Sequence, residues 1–334
     1  MNSKKLTIKD IARKANVSKS TVSRVINDTT PVKKEKRQAV LDAMKELNFK
    51  PNVFARSLAG GKSMTIGILT GDIGSPFYDS ITKGIIESLN PTNYTAIIAD
   101  GQWQESLERN AISTLMERQV DGIITIGGLL DIEAINELDD DIPLVMVGRK
   151  EVGWEDRCVF IDNKAAAKIA TKHLIDSGHK QIAHIMGDSV HPDAIDRYNG
   201  YKEAMKEAGL EASEDLFSQG DFTATSGQAA MEALLEKGVA MTAVFAANDQ
   251  MALGARLALY HRGLSVPEDV SIIGFDNQPN AEFAIPPLTT IAQPGFQMGQ
   301  KATTLLFDLI NKERPITRSF SCELITRESV SKPS

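Results

Sequence analysis

The chain has 334 residues, more than one hydrophobic core usually holds, so we expect two or three domains. Hydrophobic residues make up 42% and charged residues 24% of the sequence, which argues against collagen, coiled coil and wholesale disorder. No apolar run reaches the length of a membrane span, and the N-terminus lacks the apolar segment of a secretory signal. Two cysteines, Cys158 and Cys322, exclude a disulfide framework and fit a reducing compartment. We therefore expect a cytoplasmic protein.

Charge is divided unevenly along the chain. Residues 1–62 contain 15 Lys and Arg against 5 Asp and Glu, a net charge of +10, whereas the whole chain carries −7. The remaining residues therefore carry −17. A small basic head on an acidic body is typical of a nucleic-acid-binding domain joined to a second module, although a solvated basic face would give the same numbers.

Residues 7–27 show the pattern of two short helices joined by a tight turn. Apolar residues recur at helical spacing in IKDIARKA and KSTVSRVIN, and Asn16 between them tolerates the left-handed backbone that such a turn needs. A third helix, KEKRQAVLDAMKELN, is expected to close a three-helix core through Val40, Leu41, Met44 and Leu47. This all-α arrangement predicts a helix-turn-helix DNA-binding domain over residues 1–50.

The outer side of the second helix carries polar side chains that suit base edges and phosphates in a major groove. These candidate DNA-binding residues are Lys19, Ser20, Thr21, Ser23, Arg24 and Asn27. For Lys19 and Arg24 the alternative is a basic side chain in solvent. Thr7 and Ser18 have two compatible interpretations, contact with DNA and capping of a helix.

Residues 51–63 are expected to link the head to the body. Pro51 suits the first position of a helix, but a helix this short is marginal in isolation. Gly61-Lys62-Ser63 is similar to the end of a phosphate-binding loop, yet Arg56 stands where that motif needs glycine, and a strand follows it instead of preceding it. Nucleotide hydrolysis is therefore not expected.

From residue 64 the chain alternates short apolar runs with amphipathic runs, as in parallel sheets covered by helices on both faces. One series is TIGILT, YTAIIA, DGIITIG and PLVMVG, and a second is CVFIDN, KQIAHIMG, TAVFAAND and VSIIGFDN. A helix near 295–312 and a last strand in FSCELITRES are expected to follow. The two series predict an α/β body of two subdomains.

Ligands of open α/β sheets bind beyond the carboxyl ends of the strands, which here face a shared cleft. The residues that follow the strands are therefore candidate ligand-binding residues, namely Asp72, Phe77, Asp100, Arg149, Arg197, Phe222, Asn248 and Asp276. Carboxylate and guanidinium groups bind hydroxyls directionally, and phenyl rings cover apolar sugar faces. For Phe77 and Phe222 the alternative is core packing, and for Asn248 it is a helix N-cap.

The sequence resembles the LacI family of bacterial transcriptional regulators (LacI/GalR type) over almost its whole length. The matching segments are TIKDIARKANVSKSTVSRVIN (7–27), KELNFKPNVFARSLAGGKS (45–63), ANDQMALGA (247–255), VSIIGFDN (270–277) and PPLTTIAQP (286–294). Asn16 stands where the family usually has Gly, and Gly148 stands where it often has Asp. The second departure leaves the effector open, and Trp103 suits either a stacking surface or a core position.

The resemblance implies a periplasmic-binding-protein-like body in which the chain crosses between the subdomains. One subdomain would comprise 64–161 plus 293–320 and the other 162–292 plus 321–334. In the cleft, the resemblance implies ligand-binding roles for Arg197, Phe222 and Asp276.

For DNA, the resemblance implies that Lys19 and Ser20 choose bases together with Arg24. It also implies that paired hinge helices enter the minor groove with Leu58 as an apolar wedge. Asn52 belongs to the same candidate set, and packing of Leu58 on the body is the alternative.

These patterns predict a sequence-specific regulator, a repressor in the family's usual direction, that binds a palindromic operator as a dimer. A small effector, a sugar or sugar derivative, is expected to control it from the cleft. No leucine heptad follows the last strand, which favours a dimer over a tetramer. No catalytic residue, metal or cofactor is expected.

Two other classes of protein share features with this sequence. One is a cytosolic or transport-related sugar-binding protein without specific operator binding, which the basic head and the missing signal oppose. The other is a sugar-metabolising enzyme, but no nucleophile motif appears and the histidines show no metal-ligand spacing. Those histidines are His173, His179, His184, His191 and His261.

Overall fold

The computed structural model describes residues 6–27, 31–49, 62–130, 133–134, 142–315 and 319–333. It confirms the predicted fold class, an all-α head followed by an α/β body with two mostly parallel sheets. Within those ranges, no helix is long and apolar enough to cross a membrane.

The head is built from short helices around a small core. Helix α1 spans Ile8–Lys14, α2 spans Lys19–Asn27 and α3 spans Lys34–Glu46. Ile11, Val22 and Val40 are fully buried at the centre, where the three helices meet. The two helices and the turn predicted over residues 7–27 are therefore present.

The core of α3 differs from the prediction at one position. Leu41 was expected in the core, but it is 43% exposed. The buried stripe of α3 runs through Val40 and Ala43, with Met44 and Leu47 packed beside them. Leu41 points away from the core because it is turned by about 100° around the helix axis from its buried neighbour Val40.

The first sheet has the strand order β2-β1-β3-β4-β5, with all neighbouring strands parallel. Its strands are β1 Thr65–Thr70, β2 Thr95–Asp100, β3 Gly122–Ile126, β4 Leu144–Val147 and β5 Cys158–Val159. Helices α4 Pro76–Leu89 and α5 Glu105–Glu117 connect the first three strands. Strands β1, β3 and β4 are buried almost throughout, as expected where helices cover both faces.

The second sheet has the order β11-β10-β9-β8-β6-β7, and only the pairing of β10 with β11 is antiparallel among the strands described. Its strands are β6 Ile182–Met186, β7 Phe217–Gln219, β8 Ala243–Ala246, β9 Ser271–Asp276, β10 Thr289–Ala292 and β11 Glu323–Ile325. The helices around it are α6 Asn163–Asp176, α7 Pro192–Glu207, α8 Ala224–Glu236, α9 Asp249–His261 and α10 Pro279–Phe283. Strand β7 was not predicted, because three residues at a sheet edge carry no apolar run.

The last helix joins the two sheets into one body. Helix α11, Gly295–Ile310, follows β10 of the second sheet but packs against α4 of the first. The two helix backbones touch, because a Cβ on Gly84 or Gly299 would collide with a main-chain carbonyl of the other helix. The chain then returns to β11 in the second sheet. We call the first sheet with its helices and α11 lobe 1, and the second sheet with its helices lobe 2.

Helices α8 and α9 pack equally closely in lobe 2, where a Cβ on Gly254 would collide with the carbonyl oxygen of Ala224. Gly254→Ala is expected to lower the free energy of unfolding by about 1–3 kcal/mol, the usual cost of overpacking, because a backbone neighbour cannot rotate away. Denaturant unfolding followed by circular dichroism measures this change.

The matched control is Ala233→Ser, which adds one atom to the exposed face of α8. It is expected to cost less than about 0.5 kcal/mol. A Gly254→Ala protein as stable as the wild type would show that α8 and α9 separate without strain.

Candidate functional site

The turn between α1 and α2 has the predicted geometry. Asn16 adopts a left-handed backbone with φ 50°, and the Ser18 hydroxyl accepts a hydrogen bond from the Thr21 N–H at 3.1 Å. At the start of α1, the Asp10 carboxylate accepts hydrogen bonds from the Thr7 N–H at 3.0 Å and the Thr7 hydroxyl at 2.8 Å. Thr7 and Ser18 thus both take part in capping, which leaves contact with DNA open to them.

The outer face of α2 presents Lys19, Ser20 and Arg24 as exposed side chains. Thr21 and Ser23 are half-buried, and the Thr21 hydroxyl lies 2.9 Å from the Ser18 hydroxyl. The Asn27 side chain, Asn52 and Leu58 lie outside the described residues. The described part of α2 therefore offers two cations and a hydroxyl on one exposed face, suited to a major groove.

A cavity lies between the lobes, at the carboxyl ends of the strands of both sheets. Lobe 1 lines it with Asp72, Ser75, Phe77, Tyr78 and Trp103, and lobe 2 with His191, Asp193, Arg197, Asp221, Phe222, Asn248 and Asp276. Six of the eight residues predicted from strand ends meet here. The free volume is about 120 Å³, below the range of about 300–1,000 Å³ that is usual for ligand pockets.

Arg197 on α7 is almost completely buried, at 3% exposure. Its Nε donates to the Asn163 Oδ1 at 2.9 Å, and one terminal nitrogen donates to the Ala247 carbonyl at 2.6 Å. The guanidinium lies 3.9 Å from the centre of the Phe275 ring and 3.8 Å from the Asp276 carboxylate. Two of its nitrogens therefore bind the protein itself, while the third lies 3.9 Å from the Asp193 carboxylate.

The floor of the cavity is a network of buried carboxyl groups and amides. Asp276 accepts hydrogen bonds from the side chains of Gln293 at 2.6 Å and Gln278 at 2.9 Å. Behind it, Asp249 accepts from the Thr290 hydroxyl at 2.6 Å and the Gln278 N–H at 2.7 Å. Burial raises the pKa of both carboxyl groups, and the charge of Asp276 raises the pKa of Asp249 further. These hydrogen bonds hold the Asp276 carboxyl in place.

Charged groups of both lobes act on the hydroxyl of Tyr78. Burial raises the pKa of Tyr78 well above its usual range, the charge of Asp193 raises it further and that of Arg197 lowers it, with smaller upward contributions from Asp276 and Asp72. Burial raises the pKa of Asp193 to about 6, although Arg197 opposes this. Partial burial and the negative charge of Asp100 raise the pKa of Asp72. Carboxyl groups of both lobes therefore outnumber the single guanidinium in the cavity lining.

A row of aromatic rings crosses the cleft. The Trp103 ring of lobe 1 lies 3.6 Å, centre to centre, from the His191 ring of lobe 2. Tyr78 continues the row on the lobe 1 side at 6.3 Å from Trp103, and Phe222 continues it on the lobe 2 side at 5.0 Å from His191. Burial lowers the pKa of His191 to about 4, so this ring is neutral at pH 7.

Several cavity residues adopt backbone conformations that are rare for side-chain-bearing residues. Trp103 has φ 51°, Phe222 has φ 71° and Asp276 has φ 111°. Gly187, which directly follows β6, leaves room for the Phe222 ring, because a Cβ there would collide with it. Such backbone strain clusters at functional sites, which marks this cavity as one.

Two predicted ligand-binding residues do not line the cavity. Arg149 donates to the carbonyls of Gly128, at 3.1 Å, and Leu130, so it fixes the loop that follows β3. Glu108 fixes the same loop by accepting the N–H groups of residues 129 and 130. Asp100 accepts the Gln102 N–H at 3.2 Å, in the turn that presents Trp103.

The structure also shows which of their alternative roles Trp103, Asn248 and Phe77 have. Trp103 lies in the ring row rather than in a helix core. Asn248 caps α9 through the Met251 N–H at 2.9 Å and lines the cavity as well. Phe77 is buried in the core and also lines the cavity.

Sequence reasoning missed some of the cavity residues, namely Ser75, Tyr78, His191, Asp193 and Asp221. A usable signal existed for two of them. His191 and Asp193 lie in GDSVHPD, which directly follows β6, and Asp193 stands one helical turn before Arg197. The strand-end rule applied to this loop would have found both.

Comparison with known proteins shows to which family this architecture belongs. Residues 7–52 match the family described as bacterial regulatory proteins, lacI family, and residues 171–330 match the periplasmic binding protein-like domain. Catabolite control protein A of Priestia megaterium is 38% identical over 310 residues, 92% of this chain and 93% of that protein. The chain belongs to the LacI family.

Solved structures agree with this assignment. The lac repressor dimer bound to operator and the anti-inducer ONPF superposes with a TM-score of 0.86 at 27% identity, covering 98% of this chain and 100% of that one. The complex of the transcriptional regulator CelR with cellobiose gives a TM-score of 0.72 at 34% identity, covering 97% and 99%. This LacI-family protein is therefore a DNA-binding transcriptional regulator.

The buried histidine of β6 has a packing role. His184 lies between the rings of Tyr198 and Tyr201 and that of Phe245, and its Nδ1 lies 2.9 Å from the Phe245 carbonyl oxygen. In the described part of the chain, no three His, Cys, Asp or Glu side chains come together as a metal site would need. Burial lowers the pKa of His184 to about 3.

This low pKa predicts an acid-dependent loss of stability. The unfolded chain binds a proton at His184 near pH 6.5, whereas the folded protein does so only near pH 3. Stability from this group is thus complete above pH 6.5 and falls below it by about 1.4 kcal/mol per pH unit. His184→Phe is expected to flatten that fall, as urea unfolding between pH 7 and about 4 would measure.

The control is His261→Gln, which changes an exposed histidine and should leave the slope unchanged. A His184→Phe protein that loses stability as steeply as the wild type would assign the acid sensitivity to other groups.

Proposed function

We propose that this LacI-family protein is a cytoplasmic repressor that binds a palindromic operator as a dimer under the control of a sugar or sugar derivative in the interlobe cleft. The observation that carries the proposal is the presence of two separate polar surfaces in one chain. One is the exposed face of α2, and the other is the cavity with its carboxylates and aromatic rings. No catalytic step belongs to this function.

The head supplies operator recognition in this proposal. Lys19, Ser20 and Arg24 read base edges in the major groove, while Thr7, Ser18, Thr21, Ser23 and Asn27 contact the backbone or adjacent edges and fix the register. The hinge residues Asn52 and Leu58 complete the DNA-binding set by resemblance to the family. Their apolar wedge would bend the operator centre at the cost of unstacking a base step.

Dimerisation places two heads on two half-sites. The half-sites of such an operator lie about 34–36 Å apart, one turn of DNA, or a multiple of that spacing. Support comes from the lac repressor, whose solved form is a dimer on its operator. Lobe 2 offers an apolar surface for a partner in the exposed side chains of Leu257, Tyr260, Phe283 and Ile285.

In this proposal, an effector bound in the interlobe cleft controls operator binding. CelR, which shares this fold over 97% of the present chain, was solved as a complex with cellobiose. In the present chain the rings of Trp103 and His191 lie in contact, and the cavity is smaller than a sugar-sized ligand requires. Entry of an effector therefore moves lobe 1 relative to lobe 2. Because lobe 1 directly follows the linker from the head, that movement changes the spacing of the two heads, and operator and effector affect each other's affinity equally.

We also propose the subdomain division at 64–161 plus 293–320 and 162–292 plus 321–334. It is supported by the packing of α11 on α4 and by the return of β11 to the second sheet.

Arg24→Ala is expected to weaken specific operator binding by about 1–3 kcal/mol, because a base-reading guanidinium is lost. The operator is first selected from genomic fragments with the wild-type protein at fixed salt, and fluorescence anisotropy then measures affinity. Arg118→Ala, which removes one exposed cation from the body, is the control. Equal operator affinity of the Arg24→Ala protein and the wild type would remove Arg24 from the recognition set.

Asp276→Asn is expected to raise the effector concentration needed to change operator binding at least tenfold, since a carboxylate that accepts effector hydroxyls becomes an amide. The same anisotropy assay, titrated with the sugar that shifts the wild-type protein, measures this. Asp215→Asn changes an exposed carboxylate and serves as control. An unchanged effector response in the Asp276→Asn protein would place the ligand elsewhere.

A further inference from the structure

The linker ends in a sharp turn at the body. Residues 62–64 lead into β1, and Met64 has a left-handed backbone with φ 58°, which is rare for a residue with a side chain. Ser63, at the end of the linker, is buried. Surrounding groups must hold this turn, because a free chain would avoid such a conformation.

One carboxylate holds the turn. Asp121, which directly precedes β3, accepts hydrogen bonds from the Ser63 N–H at 2.7 Å and the Met64 N–H at 2.9 Å, one on each oxygen. The Asp121 N–H in return donates to the Thr65 carbonyl at 2.8 Å. Hydrogen bonds to an ionised acceptor are stronger than those between neutral groups, and here they fix two successive peptide units. We call the two bonds to the carboxylate the linker anchor, because they set the direction in which the chain leaves lobe 1.

Two further elements of lobe 1 hold the same segment. The Thr95 N–H of β2 donates to the Met64 carbonyl at 2.9 Å. The Lys62 ammonium donates to the side-chain oxygen of Asn311, which directly follows α11, at 3.1 Å. The end of the linker is therefore attached to β2, β3 and α11 at once.

Helix α11 connects the linker anchor with the cleft. It begins at Gly295, two residues after Gln293, whose side chain donates to the cavity residue Asp276 at 2.6 Å. It ends at Ile310, next to Asn311. A helix of 16 residues is about 24 Å long, so one rigid element extends from the cavity to the end of the linker. Its backbone contact with α4 makes it move as part of lobe 1.

We propose that Asp121 couples the cleft to the DNA-binding head. This inference rests on the proposed function, because it concerns how a movement of lobe 1 reaches the operator. With the carboxylate in place, a rotation of lobe 1 turns the end of the linker with it. Without the carboxylate, residues 62–64 regain two soft dihedral angles each and absorb the rotation. Asp121 lies in neither the cavity lining nor the head, so it acts as a positioning residue.

Trp103 reports the state of the cleft without any added sugar. Its ring lies 3.6 Å from the His191 ring of the other lobe, so its fluorescence changes when the rings separate. Because coupling is reciprocal, operator binding at the head alters the cleft, just as an effector in the cleft alters operator binding. The chain has two tryptophans, and Trp154→Phe leaves Trp103 as the single reporter. This full-length protein is titrated with the operator selected from genomic fragments.

Saturating operator is expected to change the fluorescence of Trp103 in the otherwise wild-type protein. Asp121→Asn in the same background is expected to bind the operator with a Kd within about threefold of that protein, but to show a fluorescence change at least about fivefold smaller. The reason is that an amide has one acceptor oxygen for two N–H donors. Asp156→Asn, which changes an exposed carboxylate of lobe 1, is the control and should keep the full change.

A full fluorescence change in the Asp121→Asn protein would overturn the proposal. A loss of stability with the fluorescence change intact would do the same, because it would give Asp121 a structural role alone. Met64→Gly provides a second test if Asp121→Asn does not fold. Glycine keeps both N–H donors but accepts many other backbone conformations at the turn, so the fluorescence change is expected to fall at least about twofold.

The titration also separates this inference from the proposed function. If the wild-type head binds the operator specifically while Trp103 does not respond, the operator-binding regulator stands and the coupling through Asp121 is wrong. If the wild-type protein selects no operator, the proposed function fails, and the coupling fails with it.

Discussion

The cleft depends on one buried cation. Arg197 joins the start of α6, the end of β8 and the end of β9 through Asn163, Ala247 and Asp276. A buried charge is tolerated only where it is paired and hydrogen-bonded, and removing one partner of such a pair costs about 3–5 kcal/mol. The Asp276 carboxylate lies 3.8 Å from this cation, and hydrogen bonds from Gln278 and Gln293 hold it there. Asn163 also follows the segment that enters lobe 2 from lobe 1, so the same cation fixes the lobe connection.

This constraint decides the chemistry that remains for a ligand. Part of the Arg197 guanidinium binds the protein, and the cavity is lined by this group together with carboxylates, an amide and aromatic rings. Contact between the rings of Trp103 and His191 joins the two lobes across the cleft. A ligand that separates these rings shifts the population of open and closed states by its difference in affinity for them.

The extent to which the sequence predicted this site follows from the same physics. Parallel strands end at one edge of a sheet, so residues after strands converge, and Asp72, Arg197 and Asp276 were found without knowledge of the tertiary structure. Arg149 also follows a strand, but its terminal nitrogens donate to loop carbonyls, and no local pattern predicts which partner a guanidinium finds. Asp193 was missed because it lies in the first turn of a helix, where an acidic residue has an ordinary explanation.

The interlobe cavity and the exposed face of α2 are built in the same way. In each, a well-packed core positions the side chains that face the ligand or the DNA. In the head, Val22 is fully buried while Arg24 on the same helix is exposed. In the body, the strained residues Trp103 and Phe222 lie in the loops that follow the edge strands β2 and β7, where side chains can differ without disturbing the buried strands. Either surface can therefore change its specificity while the cores stay the same. The packing inside lobe 1, which lies between the two surfaces, cannot change so freely. Helices α11 and α4 touch backbone to backbone there, and Gly84 and Gly299 leave no room for a larger side chain.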